Sequence, residues 1–177
     1  MRYRISFVAV VFILSLVLLV ACNQQVKFDD VYTKVTEATL QAGDAIPTPE
    51  QDAILTVNGK IGTTNTTDAI VMDRATIEKV GLVEYNVQDP FADHAITYRG
   101  VLMRDLLALW QVPKNAETVQ LTALNDYQID IPVADFYQYP ILYAMQADGV
   151  YMEADYQGPA MLVFPVDDYE FDKITVR

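Results

Sequence analysis

The chain has 177 residues, with 12 Lys and Arg against 24 Asp and Glu, a formal net charge of −12, one His and one Cys. That length suits one domain with extensions, and an apolar content of 52% excludes wholesale disorder. The acidic balance excludes a nucleic-acid partner, whose phosphates want Lys and Arg. A single Cys and a single His exclude a disulfide framework, Cys-based zinc clusters and multi-His metal sites.

At the N-terminus, the basic Met1-Arg2-Tyr3-Arg4 precedes an apolar run over 5–20 broken only by Ser6 and Ser15, the pattern of a secretory leader. The run is short for a membrane span, which needs about 20 apolar residues. It ends in Leu19-Val20-Ala21-Cys22, which resembles a bacterial lipoprotein signal. The resemblance implies a signal peptide over 1–21, cleavage before Cys22, and a diacylglycerol on the Cys22 thiol with palmitate-type acylation. It therefore implies a lipid-anchored protein on the extracytoplasmic side of a cell membrane. Loss of Arg2 and Arg4 leaves 10 basic and 24 acidic residues, net −14. Attachment then rests on acyl chains, at roughly 0.8 kcal/mol per buried CH₂. Residues 22–50 read as the lipidated Cys and a flexible tether, with Gly43 and Pro47-Thr48-Pro49 favouring extended backbone. Within it, 31–40 reads either as a short helix or as solvated linker.

The folded domain is expected over 51–177. Ala53-Ile54-Leu55-Thr56-Val57 reads as a strand closed by an Asn58-Gly59 turn. Asn65-Thr66-Thr67 matches a glycosylation sequon by accident. A strand over 69–72 precedes a helix over 74–80, capped by Asp73 and stopped by Gly81. Residues 82–87 return to strand character. Leu102, Leu106 and Trp110 share one face of an amphipathic helix over 102–110, with Pro113 beyond its end. Strands follow over 119–123 and 127–131 around an Asn125-Asp126 turn, then over 141–145 and 150–152 around Asp148-Gly149, then over 160–164 and 173–176. Grouped strands with two helices predict an α+β fold that is β-rich, with few short helices.

Catalytic patterns are sparse. There is no dinucleotide or phosphate loop and no nucleophile elbow, and Asn58-Gly59-Lys60-Ile61-Gly62 is a turn. His94 reads as a loop residue. Asp167-Asp168, Asp89 and Asp93 read as solvated carboxylates, without the twelve-residue loop that calcium would use.

Five segments in order resemble the oxidoreductase molybdopterin-binding domain, the sulfite-oxidase-like fold. They are Leu55-Thr56-Val57-Asn58-Gly59-Lys60-Ile61; Tyr98-Arg99-Gly100-Val101-Leu102-Met103-Arg104-Asp105-Leu106-Leu107; Val112-Pro113 through Val119-Gln120-Leu121-Thr122-Ala123-Leu124; Asn125-Asp126-Tyr127 before Ile131-Pro132; and Asp148-Gly149 before Gly158-Pro159-Ala160-Met161-Leu162-Val163-Phe164-Pro165. The resemblance implies a β-rich mixed domain with a pterin-type pocket. It also implies a molybdenum-ligating Cys before the Tyr98-Arg99-Gly100 segment, but Tyr85-Asn86-Val87-Gln88-Asp89-Pro90-Phe91 holds none. Gln or Asp does not substitute for a soft thiolate without changing the preferred metal. Basic residues are too scattered to hold a doubly negative phosphate.

Molybdopterin is thus not expected, and neither are metal and catalytic residues. The expected ligand is a pterin-like heterocycle, sensed on behalf of a membrane signalling enzyme. Asp89 and Asp126 are the candidate carboxylates for its N–H edge, Phe91 and Tyr127 the candidate stacking residues, and Asn125 a further hydrogen-bonding group. A plain turn for Asn125 and Asp126, and half-buried packing for Phe91 and Tyr127, are the competing readings. A molybdopterin oxidoreductase with another metal ligand and a cofactor-free interaction scaffold are the alternative functions.

Overall fold

The computed structural model describes residues 26–88, 93–154, 158–169 and 171. The expected leader, Cys22, Asp89, Phe91 and the expected strand over 173–176 lie outside the described residues.

Ten strands and three short helices build the described fold, which is β-rich α+β as expected. A sheet of antiparallel strands runs in the order β1 (Thr33–Lys34), β4 (Val83–Gln88), β5 (Ala95–Leu102), β8 (Leu142–Ala147), β10 (Met161–Val163), with β9 (Val150–Tyr151) also paired to β8. Two antiparallel hairpins stand apart from it: β2 (Ala53–Val57) with β3 (Ile70–Asp73), and β6 (Thr118–Thr122) with β7 (Gln128–Pro132). The helices are α1 (Arg74–Glu78), α2 (Met103–Leu109) and α3 (Val133–Gln138).

The sheet is covered on both faces, and the period-two alternation of β8 shows it. Tyr143 and Met145 enter a core shared with the helices and both hairpins, including Ile70, Leu106, Phe136 and Ile141. Leu142 and Ala144 enter a second core with Val83, Tyr85, Val87 and Tyr98. Gly100 makes the centre of the sheet this tight. A Cβ there would lie 2.0 Å from the Tyr143 carbonyl oxygen, at the bulge between Arg99 and Gly100 in the β5–β8 register. Tyr85 sits in the second core with its hydroxyl donating to the Val163 carbonyl at 2.7 Å, and burial pushes its pKa far up.

The local signals read from sequence explain several elements. Asp73 Oδ1 accepts from the Thr76 backbone N–H at 2.8 Å and caps α1, while Gly81, at φ 105°, ends the turn that follows. Asp148 and Gly149 both have positive φ, 49° and 79°, as a two-residue turn of the primed kind requires. The Asn65 amide donates to the carbonyls of Pro47 and Val71 at 2.8 Å each, so this sequon Asn serves as an internal clamp.

Two expectations need correction. The first is the tether over 22–50, because from Phe28 onward the chain is docked. Residues Phe28–Asp30 form a 3-10 turn and β1 extends the sheet along β4, so 31–40 is not a helix. Leu40 and Ile46 are each only 6% exposed and belong to the helix-side core, while Phe28, Val31 and Tyr32 pack on the other. Asp73 Oδ2 also accepts from the backbone N–H groups of Glu50 and Gln51, at 2.9 and 3.1 Å. The packed unit therefore begins well before residue 51. The second concerns the element count, since β5 and α3 join the expected strands and two helices. In β5 Ile96 and Tyr98 alternate with Thr97 and Arg99 only briefly before Gly100-Val101-Leu102 ends the pattern, and α3 is too short to show a period.

Candidate ligand-binding cleft

A broad cleft of about 2220 Å³ lies between the β2 strand with its following turn, the β6–β7 hairpin and the segment 158–166. The pleat of the hairpin aims Val119, Leu121, Ile129 and Ile131 toward the helix-side core, and all four line the cleft. Tyr143 fixes the opposite wall. Its hydroxyl donates to the Ile54 carbonyl at 3.1 Å and ties β2 to β8, and burial raises its pKa well above the usual phenol value. Phe164, Tyr169 and Phe171 bring aromatic surface to the cleft and pack together with Tyr139, with centroids 4.7 to 5.4 Å apart for the three closest pairs.

Of the expected ligand residues, Asn125 and Tyr127 line the cleft, at the tip of the β6–β7 hairpin. Asn125 Oδ1 accepts from the Tyr127 backbone N–H at 3.2 Å, so it also makes the turn. Tyr127 is 53% exposed and the neighbouring Leu124 76%, so the tip presents apolar surface to solvent. Asp126 does not line the cleft. It holds the left-handed position of the turn, at φ 64°.

Glu117 is the only carboxylate among the described lining residues, and Lys60 the only cation. Sequence reasoning missed Glu117, because a lone acid in the Asn115-Ala116-Glu117 loop carries no pattern. It also placed Trp110 only in the core. Trp110 is buried, at 4% exposure, yet it lines the cleft, and its indole Nε1 is buried with no hydrogen-bond partner among the described residues. An unpartnered buried donor costs about 1–3 kcal/mol.

The other candidate groups lie elsewhere. Arg99 donates to Glu84 Oε2 through Nε and Nη2, at 2.9 and 2.6 Å. Arg104 stacks 4.1 Å over the Phe28 ring and reaches Asp105 at 3.4 Å. His94 is an exposed loop residue 3.1 Å from Asp148 Oδ2. The Asp148 carboxyl is held below its ordinary pKa, by the Thr97 backbone N–H first and then by His94. Among the described residues no group of three His, Cys, Asp or Glu is placed to hold a metal, and no helix is long and apolar enough to cross a membrane.

The chemistry of the cleft is thus mainly apolar and aromatic, with a few amides and, among the described lining residues, one acid and one base. No protein-family model and no curated protein matches this chain.

Proposed function

We propose that this protein is a membrane-anchored extracytoplasmic lipoprotein of the sulfite-oxidase-like fold, and that it binds a pterin-like heterocycle without molybdenum redox chemistry. One observation carries the reading. The segments that resemble the molybdopterin-binding domain are spread over more than 100 positions, and each contributes to the lining of one cleft: Leu55 to Ile61, Tyr98 with Met103 and Leu107, Val112 with 119–124, Asn125 with Tyr127, and 158–164.

A flat heterocycle suits this lining. Its faces can rest on aromatic and aliphatic side chains, and its pyrimidine edge offers N–H donors to the Glu117 carboxylate or to the amides of Asn125 and Gln120. Molybdopterin itself does not fit the residues present. Its phosphate would meet Lys60 alone among the described lining cations, since Arg99 and Arg104 are engaged with Glu84 and with Phe28 and Asp105. The chain's single Cys is Cys22, far in sequence from the position where the family carries its thiolate. A ligand sensed on the membrane surface fits a partner that is itself a membrane signalling protein.

The test is to purify the protein, denature it and examine the extract for pterin fluorescence, then to add reduced pterins to the emptied protein. Released pterin, or a rise in Tm on addition, supports the reading. A protein that yields no pterin and shows no Tm shift with any reduced pterin overturns it.

A further inference from the structure

We propose that the β6–β7 hairpin is the lid of the cleft: its tip tilts down over the bound heterocycle, and Leu124 becomes part of the ligand's cover. This deepens the pterin reading and rests on it.

The cleft measures about 2220 Å³. Pockets that enclose a drug-sized ligand run to about 300–1,000 Å³, and a pterin is a small member of that class. With the walls as they stand, water keeps more than half of the space and the ligand keeps a wet face. Tight retention of so small a guest needs a wall that moves.

Most of the walls are fixed. Met103, Leu107 and Tyr143 belong to the helix-side core at 1 to 7% exposure. Met161–Val163 is paired to β8 in the main sheet. β2 is paired to β3, whose Ile70 and Met72 are fully buried, and the Tyr143 hydroxyl holds the Ile54 carbonyl.

The hairpin is held at one end. Among the described residues it pairs with no third strand. Its base is fixed, with Ile131 at 1% exposure and the Val133 N–H donating to the Glu117 carbonyl at 2.9 Å. Burial fades from there outward: Val119, Leu121 and Ile129 are half-buried, and Leu124 is 76% exposed. Gln120 donates to Asp130 at 3.1 Å and Gln128 to Thr122 at 3.3 Å, so side chains tie one strand of the hairpin to the other. A stiff unit fixed at its base is a lever. The tip lies about 20 Å beyond Ile131, at about 3.3 Å per residue, so a tilt of about 15° carries it about 5 Å.

The turn itself does not need Leu124. Asn125 Oδ1, bonded to the Tyr127 N–H, and Asp126, at positive φ, make the reversal. Leu124 lines the cleft and stays open to water there. A large apolar side chain in that place gains burial only when the tip comes down on an occupant.

Nitroxide labels at Gln128→Cys and Asp68→Cys read the movement, in a full chain carrying Cys22→Ser and held in detergent micelles. Both positions are exposed and neither lines the cleft, so the pair reports the distance from the tip to the β2–β3 side. Addition of 6-hydroxymethylpterin is expected to shorten that distance by about 5 Å. Leu124→Ser in the otherwise unmodified chain should keep the ligand-free Tm, because the side chain is exposed, and should release pterin about tenfold faster. Retained pterin with an unmoved label distance, or an equal release rate from Leu124→Ser, overturns the lid and leaves the pterin reading standing. No retention of the pterin by the unmodified chain overturns both. Should the labelled chain fail to fold, the release rate from Leu124→Ser decides the matter.

Discussion

Asp73 shows how much one side chain organises. Its carboxylate accepts from the backbone N–H groups of Thr76, Glu50 and Gln51, so it caps α1 and pins the chain entering β2. The Thr76 side chain first, then these backbone donors, lower its pKa from 3.8 to about 2. A lowered folded-state pKa means the stabilisation is complete above the unfolded value and is lost as pH falls from about 4 through about 2. Asp73→Ala is expected to cost roughly 2 kcal/mol at pH 7, because it removes a cap and orphans two further donors. It should also flatten the acid limb of the stability curve. Urea unfolding at pH 7, 4 and 3 checks both, and a variant as acid-sensitive as the parent would show that the carboxylate is not the titrating group. The cap itself was legible, because Asp73 directly precedes a helical pattern. Its bonds to Glu50 and Gln51 were not, because no local pattern links residues more than 20 positions apart. Trp110 follows the same logic. Its place on an apolar helix face was plain, whereas its share in the cleft wall was not, because the other walls come from segments distant in sequence.

At the scale of elements, the local turn chemistry was readable and the long-range docking was not. Asn58-Gly59, Asn125-Asp126 and Asp148-Gly149 each mark an observed reversal, because residues that tolerate positive φ are visible one at a time. The candidate site was legible in part: Asn125 and Tyr127 reach the cleft, Asp126 belongs to the turn, and Glu117 gave no signal. The N-terminal segment is the instructive failure. Leu40 and Ile46 are isolated apolar residues in a stretch of Gln, Gly, Asp and Pro, so they carry no periodicity, yet both are buried in the core under the helices. Backbone bonds reinforce the docking, with the Val35 and Thr36 N–H groups donating to the Leu82 carbonyl at 2.7 and 3.1 Å and the Leu82 N–H donating to Thr36 Oγ1 at 2.9 Å. Leu40→Ala is therefore expected to destabilise the protein by about 2–4 kcal/mol, the usual cost of truncating a buried Leu. A tether residue would cost nearly nothing. Thermal unfolding of this one variant separates the two, since an unchanged Tm would mean that the segment is not part of the core.

Docking of the N-terminal segment changes what a lipid on Cys22 would do to the molecule as a whole. A free linker from Cys22 to Glu50 could reach about 100 Å when extended. With the chain packed from Phe28, the reach from Cys22 shrinks to about 20 Å, comparable to the radius of a domain of this size. The lipid would therefore hold the body against the bilayer and fix which face looks toward it. That face carries Phe28 with Arg104 stacked on it, and Tyr169, whose hydroxyl donates to the Val26 carbonyl at 3.2 Å. Tyr169 also lines the cleft, so this part of the cleft lies beside Val26, the first described residue. The acidic body opposes close contact with anionic lipid, but the repulsion fades beyond a Debye length of about 8 Å at physiological salt. On a supported bilayer, neutron reflectometry of the processed protein is thus expected to place the centre of the protein layer within about 40 Å of the headgroups, a limit set by the short reach plus one domain radius. Lower salt should move it outward only slightly. Cys22→Ser should abolish the layer. A centre at about 60 Å or beyond would mean that the segment from Phe28 undocks at the membrane, because an anchor at Cys22 gives a docked body no such reach.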